Sequence, residues 1–184
     1  IDIDSDGVAD LAVLRRGENQ FLRGLGECRF EPANARWGFA GGDVWTTAFS
    51  ANWDGGDGWP TIAIGNYVDE SIDGGERLCF DNELIRPNTT GDGFAPAEVL
   101  SPGWCTLSML FSDWDRSGRR DLRVSNDRHY FSDYTEGQEQ LWRVAAAEGP
   151  PHAYTEAEGW RRLRLWGMGI ASYDLTGDGY PEYY

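Results

Sequence analysis

The sequence predicts an all-β chain built as part of a β-propeller. Three observations lead there. An acidic, glycine-containing loop recurs four times, beginning at residues 2, 52, 113 and 174, at intervals of 50, 61 and 61. Each of the first three loops is followed by a short alternation of apolar and polar residues: Leu11 and Val13, Ile62 and Ile64, Leu122 and Val124. The 24 glycines, with many Asn, Asp and Pro, break the 184 residues into short segments, and no long 3.6-residue apolar stripe is present. A loop plus strand at such a period is the signature of a repeat architecture, and four antiparallel strands per 50–60 residues is the size of a propeller blade.

The loops carry the chemistry. In Asp113-Trp114-Asp115-Arg116-Ser117-Gly118-Arg119-Arg120-Asp121, oxygen-bearing side chains stand at positions one, three, five and nine, with glycine at six. Alternate residues of a tight loop can all point inward, and four hard oxygens in one small space repel each other unless a cation sits among them; this density suits calcium. Asp2, Asp4, Asp6 and Asp10 make the fullest copy, and Asp174, Thr176, Asp178 and Glu182 another. The copy at Asn52, Asp54 and Asp57 is poorer: it is counted with one residue too many, and Thr61 stands in place of the last carboxylate. An EF-hand is excluded, because it needs a glutamate at position twelve and flanking helices, whereas position twelve is Val13 in the first loop and Val124 in the third.

In chain order, residues 10–16, Gln20 to Arg23 and Glu27 to Phe30 read as extended pieces of a partial blade, 1–43. Val44 to Ala51, Thr61 to Tyr67, Glu76 to Asn82 and Ala95 to Leu100 form a whole blade, 44–101, with the polar stretch Arg86 to Gly93 as a surface loop. Thr106 to Ser112, Asp121 to Asn126, Gln140 to Ala145 and Arg161 to Leu165 form a second, 102–165, with Ala146 to Glu158 as a connection. Met168 to Tyr173 opens a further partial blade, 166–184. The chain starts inside one ion loop and ends inside the strand after another, so it reads as cut from a longer protein whose further blades, on the same or another chain, complete it.

The three fuller loops resemble those of the FG-GAP/VCBS repeat family, which includes the integrin α-subunit propeller and the cartilage acidic protein group; Trp166-Gly167-Met168-Gly169-Ile170-Ala171, ahead of Asp174, is similar to the latter group in particular. The resemblance implies one calcium ion in the loop between the first and second strands of each blade. The side chains named above would hold it, together with the position-seven carbonyls of Val8, Arg119 and Tyr180. It further implies an extracellular setting, secreted or at the cell surface, and a role in adhesion, recognition or assembly. A protein or glycan ligand is compatible with it.

Composition narrows the alternatives. The formal charge is −15, and twelve of the 31 acidic residues lie in the four loops. That excess argues against a nucleic-acid backbone as partner, which needs a basic face. No run of eighteen apolar residues suggests membrane insertion. Cys28, Cys79 and Cys105 lack zinc spacing; Cys79 and Cys105 could close a loop of about two dozen residues, or all three could be buried free thiols. Asn88-Thr89-Thr90 is a glycosylation sequon. His129 and His152, the only histidines, have no nucleophile motif beside them, so the chain is not read as an enzyme. Of the nine tryptophans, those beside the loops read as packing between blades, while Trp37, Trp59 and Trp160 would be the candidates for stacking a sugar. The functional expectation is therefore a calcium-binding propeller module. A lectin-like propeller, or the non-catalytic propeller part of a secreted enzyme, is the alternative.

Overall fold

The computed structural model describes residues 1–54, 58–69, 79–127 and 137–184. The chain is all-β, with four antiparallel sheets in which each strand pairs with its neighbour in sequence. The first contains β1 (Leu11–Val13), β2 (Gln20–Gly24) and β3 (Phe30–Pro32). The second contains β4 (Thr46–Asn52), β5 (Thr61–Asn66), β6 (Asn82–Ile85) and β7 (Glu98–Leu100). The third contains β8 (Thr106–Ser112), β9 (Asp121–Asn126), β10 (Gln140–Arg143) and β11 (His152–Ala153). A hairpin of β12 (Ser172–Tyr173) and β13 (Glu182–Tyr183) makes the fourth.

The second and third sheets have the same register. Thr46 faces Asn66 and Thr106 faces Asn126. One residue then slips out of register in each, and the pairing runs on to Asn52 opposite Thr61 and Ser112 opposite Asp121. The inward residues at the slip also match: Thr46 Oγ1 donates to Asn66 Oδ1, and Thr106 Oγ1 to Asn126 Oδ1, both at 2.8 Å.

The second sheet is packed on both faces, and the strict alternation of β5 divides its side chains between two cores. Ala63, with Ala48, Leu84 and Leu100, meets Met109, Phe111, Leu122 and Val124 of the third sheet. Ile62, Ile64 and Ile85 face Phe21, Trp37, Phe39 and Phe94. A fully buried Leu84 in such a core resists truncation by about 2–5 kcal/mol. Gly65 permits the close approach of the two sheets, since a Cβ there would lie 2.7 Å from both Ala48 Cβ and Thr106 Cγ2. The sheets are also tied by hydrogen bonds along their first strands, from Thr47 Oγ1 to the Thr106 carbonyl and from the Phe111 N–H to Ser50 Oγ at 3.2 Å.

Five sequence expectations need correction. The strand expected at Glu27 to Phe30 is Phe30–Pro32, because Glu27 and Cys28 turn the chain in the left-handed region at φ 53° and 57°. A single helical turn, α1 (Asn34–Trp37), stands where no element was expected; Gly38 ends it in the left-handed region at φ 69°, and Trp37 is driven into the core. Asn34 fastens it by accepting the Phe21 N–H at 2.7 Å and donating to the Asn19 carbonyl at 2.8 Å. The third strand of the second sheet is Asn82–Ile85 rather than Glu76 to Asn82 (76–78 lie outside the described residues). Leu84 and Ile85 both need burial, one in each core, and this fixes the pairing with Ala63 and Ile62. The outer strand of the third sheet is β11, inside the expected connection, where Pro150 and Pro151 precede an edge strand whose outer side needs no N–H. Residues 161–165 form no strand, and Leu163 and Leu165 are exposed.

Cys79 and Cys105 form a disulfide with a Cα separation of 4.7 Å, and Cys28 is an exposed free thiol. Among the described residues no helix is long and apolar enough to cross a membrane.

Candidate metal centre

The first, third and fourth loops share one backbone conformation. Position four is left-handed in each, at Ser5 (φ 59°), Arg116 (φ 62°) and Gly177 (φ 72°). Position six is also left-handed, at Gly7 (φ 84°), Gly118 (φ 81°) and Gly179 (φ 88°). Glycine is needed at six to relieve strain. The two left-handed residues curl the chain so that the position-six N–H points back at the position-one carboxylate: Gly7 to Asp2, Gly118 to Asp113 and Gly179 to Asp174, each at 2.9 Å. The position-seven N–H then reaches position five, as Val8 to Asp6 at 2.9 Å, Arg119 to Ser117 Oγ at 3.3 Å and Tyr180 to Asp178 at 2.9 Å. The odd-numbered side chains are thereby held on one side of the loop.

The first loop goes furthest. Carboxylate oxygens of Asp2, Asp4 and Asp10 lie within 4.8 Å of one another. Asp10, 1% exposed, is locked by the Ile3 N–H at 2.7 Å and the Gly24 N–H at 2.8 Å. Asp4 Oδ1 is buried and accepts no hydrogen bond among the described residues. Asp6 does not join this group; its Oδ2 pairs with the Arg23 guanidinium, which also donates to Asp4 Oδ2 at 2.7 Å.

The third and fourth loops do not bring three carboxylates so close. In the third, Asp121 is drawn aside by Trp114 Nε1 at 2.6 Å and the Tyr154 hydroxyl at 2.9 Å, both on the same oxygen. Burial pushes the Asp121 carboxyl up and, together with the Asp121 bond, pushes the Tyr154 hydroxyl up to about 12. Asp115 accepts the Ser117 N–H at 3.0 Å, and hydrogen bonding from Ser117 holds its carboxyl below the usual range. Asp113 Oδ1 is a second buried carboxylate oxygen with no donor among the described residues. In the fourth loop Glu182 accepts the Leu175 N–H at 2.7 Å and the Thr176 hydroxyl at 3.2 Å, and Asp178 faces Arg116 at 4.0 Å.

The strand register corrects the count in the second loop. Asn52 pairs with Thr61 as Ser112 pairs with Asp121, so eight residues separate strand from strand in both cases and none is extra. Position one is therefore Trp53, which has no oxygen, and position nine is Thr61. Asn52 and Asp54 are engaged elsewhere: Asn52 Nδ2 donates to Asp54, the Thr61 hydroxyl donates to Asp54 at 3.2 Å, and Arg120 donates to Asn52 Oδ1 at 2.9 Å. Asp57 lies outside the described residues.

Two of the three tryptophans singled out for sugar stacking belong to the core. Trp37 is 1% exposed, and Trp59 packs edge-on against Trp37 and Phe94. Trp160 instead shares a cavity of about 440 Å³ with Trp114, Tyr154 and Glu158. Hydrogen bonds from Thr155 and His152 hold Glu158 down to about 2. His129 lies outside the described residues.

Sequence reasoning missed a set of arginines. Leu11, Ile62 and Leu122 each follow a ninth loop position, and their cross-strand partners are Leu22, Ile85 and Trp142. The residue after each partner is an arginine: Arg23, Arg86 and Arg143. Each has an acidic neighbour, Glu31 at 3.8 Å, Glu98 at 2.6 Å and Glu148 at 3.5 Å. The arginines are far apart in sequence, and only the register reveals that they are equivalent. No known protein family matches the chain, and no curated protein matches it.

Proposed function

We propose that the chain is part of an extracellular calcium-binding β-propeller that serves recognition or structural assembly rather than catalysis. The observation that carries this reading is the common conformation of the loops at Asp2, Asp113 and Asp174, in each of which the position-six N–H holds the position-one carboxylate, together with the convergence of Asp2, Asp4 and Asp10 in the first. The orphaned oxygens Asp4 Oδ1 and Asp113 Oδ1 support it, because a buried carboxylate oxygen without a donor is costly and a bound cation removes the cost. Asp2, Asp4, Asp6 and Asp10 would hold one ion with the Val8 carbonyl, Asp113, Asp115, Ser117 and Asp121 a second with that of Arg119, and Asp174, Thr176, Asp178 and Glu182 a third with that of Tyr180. The loop with Asn52, Asp54 and Asp57 would hold none.

The propeller reading is supported by the equal register of the second and third sheets and by their contact along β4 and β8, which in a propeller would be the inner strands of neighbouring blades. Trp166, Met168 and Leu175 are each more than 60% exposed around the last hairpin, and a further blade would cover them. The disulfide is consistent with an oxidising, extracellular compartment. Calorimetric titration tests the reading: three calcium ions should bind, and Asp2→Asn, Asp113→Asn and Asp174→Asn should each remove one. Absence of binding at millimolar calcium would overturn it.

A lectin-like role is the second reading. The cavity between Trp114, Tyr154 and Trp160 supports it, because exposed aromatic faces beside a fixed carboxylate suit a sugar ring. Glycan-array binding lost in Trp160→Ala separates it from the first.

A further inference from the structure

We infer that Arg23 is a built-in competitor for calcium at the first loop, setting a weaker affinity there than the ligand set alone would give. The inference rests on the calcium reading above and concerns a residue outside the nine positions of the loop.

The geometry is specific to this site. Arg23 lies on β2, opposite Glu31 on β3. Its side chain leaves that neighbour at 3.8 Å and reaches across to the loop, where Nε meets Asp4 Oδ2 at 2.7 Å and Nη2 meets Asp6 Oδ2. Asp4 and Asp6 are positions three and five, two of the four side chains calcium would use. Carboxylate oxygens that accept from guanidinium N–H groups carry less negative potential toward an ion. The Arg23–Asp4 pair is part-buried, with 21% and 11% of the two side chains exposed, so solvent screens it less than a fully exposed ion pair. Calcium must therefore displace this guanidinium or share oxygens with it.

The equivalent arginine of the third sheet behaves differently. Glu148 accepts from both Arg143, at 3.5 Å, and Arg119, at 2.8 Å, which keeps Arg143 on its own carboxylate rather than on the loop. Glu31 holds Arg23 less firmly, because it stands farther away, at 3.8 Å, and is 43% exposed against 25% for Glu148. The same strand position thus carries a competing cation at the first loop and a neutralised one at the third. The first loop has the most carboxylates and yet the attenuated site, so its occupancy responds to calcium in a range where a four-carboxylate loop without Arg23 would already be full.

The test is calcium titration of the protein and of Arg23→Gln, which keeps size and polarity but removes the charge. Arg23→Gln should tighten one site about tenfold, the scale of one charge-assisted hydrogen bond. Adding Asp2→Asn should abolish the tightened site, and Arg143→Gln should leave all affinities unchanged. Melting in excess chelator gives a second readout: there Arg23→Gln should melt lower than the parent protein, because Asp4 and Asp6 lose the guanidinium that pairs with them, and saturating calcium should close that gap. Unchanged or weakened calcium binding in Arg23→Gln would overturn the inference and leave the calcium reading intact. No Asp2-dependent binding in either protein would overturn both.

Discussion

The side chains of Thr106 and Asn126 face each other across the irregularity between β8 and β9, with the hydroxyl donating to Asn126 Oδ1 at 2.8 Å. The Asn126 amide donates to the Gln138 carbonyl at 2.7 Å and to Gln140 Oε1 at 3.0 Å. Asn66 repeats the pattern in the second sheet, accepting from Thr46 and donating to the Asp81 carbonyl at 2.8 Å. Where one residue slips out of the ladder, a buried asparagine supplies the missing hydrogen bonds. Asn126→Ala leaves the Thr106 hydroxyl and the Gln138 carbonyl unsatisfied inside the protein. It should cost roughly 2–4 kcal/mol in chemical denaturation. A loss below about 1 kcal/mol would show that water replaces the asparagine at no cost.

Glu139 does for the third sheet what Asn82 does for the second. Asn82 Oδ1 accepts the Asn66 N–H at 2.9 Å, and Glu139 Oε2 accepts the Asn126 N–H at 3.1 Å. A neutral amide suffices for this bond, but the third sheet uses an acid, and burial pushes its pKa up to about 7. The native state therefore holds a proton that the unfolded chain has released between about pH 4.5 and 7. Stability contributed by the neutral acid is present in full below the unfolded value and lost as pH rises through 7. Glu139→Gln should remove this slope and stabilise the protein at pH 8 by about 1–2 kcal/mol, reduced from the full linkage value because the group is only partly buried. Melting curves of both proteins at pH 5 and pH 8 check this, and equal slopes would count against it.

Calcium removal should act on the three loops together. Extracellular modules bind calcium with dissociation constants of about 10⁻⁴–10⁻³ M, so at ~2 mM calcium each site contributes on the order of 1–2 kcal/mol by mass action. Chelation also restores repulsion among Asp2, Asp4 and Asp10, whose oxygens lie within 4.8 Å. The melting temperature should fall clearly in excess chelator. Asp54→Asn, in the second loop, should leave calcium stoichiometry unchanged. An identical melting curve with and without chelator would remove calcium from the account of stability.

The parts of this structure legible in the sequence are those written in local spacing. The strands Thr106–Ser112 and Asp121–Asn126 follow from alternation on either side of an eight-residue turn, and the left-handed position six follows from Gly7, Gly118 and Gly179. What depends on pairing across strands was not legible. The equivalence of Arg23, Arg86 and Arg143 exists only once Leu22, Ile85 and Trp142 are set opposite their partners. The second loop was miscounted because Asn52-Trp53-Asp54 mimics Asp113-Trp114-Asp115 in sequence, while the ladder aligns Trp53 with Asp113. The outer strand β11 was hidden because two residues after a pair of prolines carry no periodicity.

The disulfide bears on how the second and third sheets stay together. Cys79, in an isolated bridge to Val68, is joined to Cys105, the residue before β8. Cys105 is fully buried and its carbonyl accepts the Asp127 N–H at 2.9 Å, so the link enters the third sheet where its first two strands begin and end. The cysteines are 26 residues apart, and closing a loop of that length stabilises the folded state by about 3–4 kcal/mol through the unfolded chain. The paired variant Cys79→Ala with Cys105→Ala should lose that amount and become insensitive to reductant. Cys28→Ala should melt like the parent, because Cys28 is exposed and unbonded. Melting with and without reductant reads all three proteins. A paired variant as stable as the parent would mean that the interface of β4 with β8 holds the sheets without the covalent link.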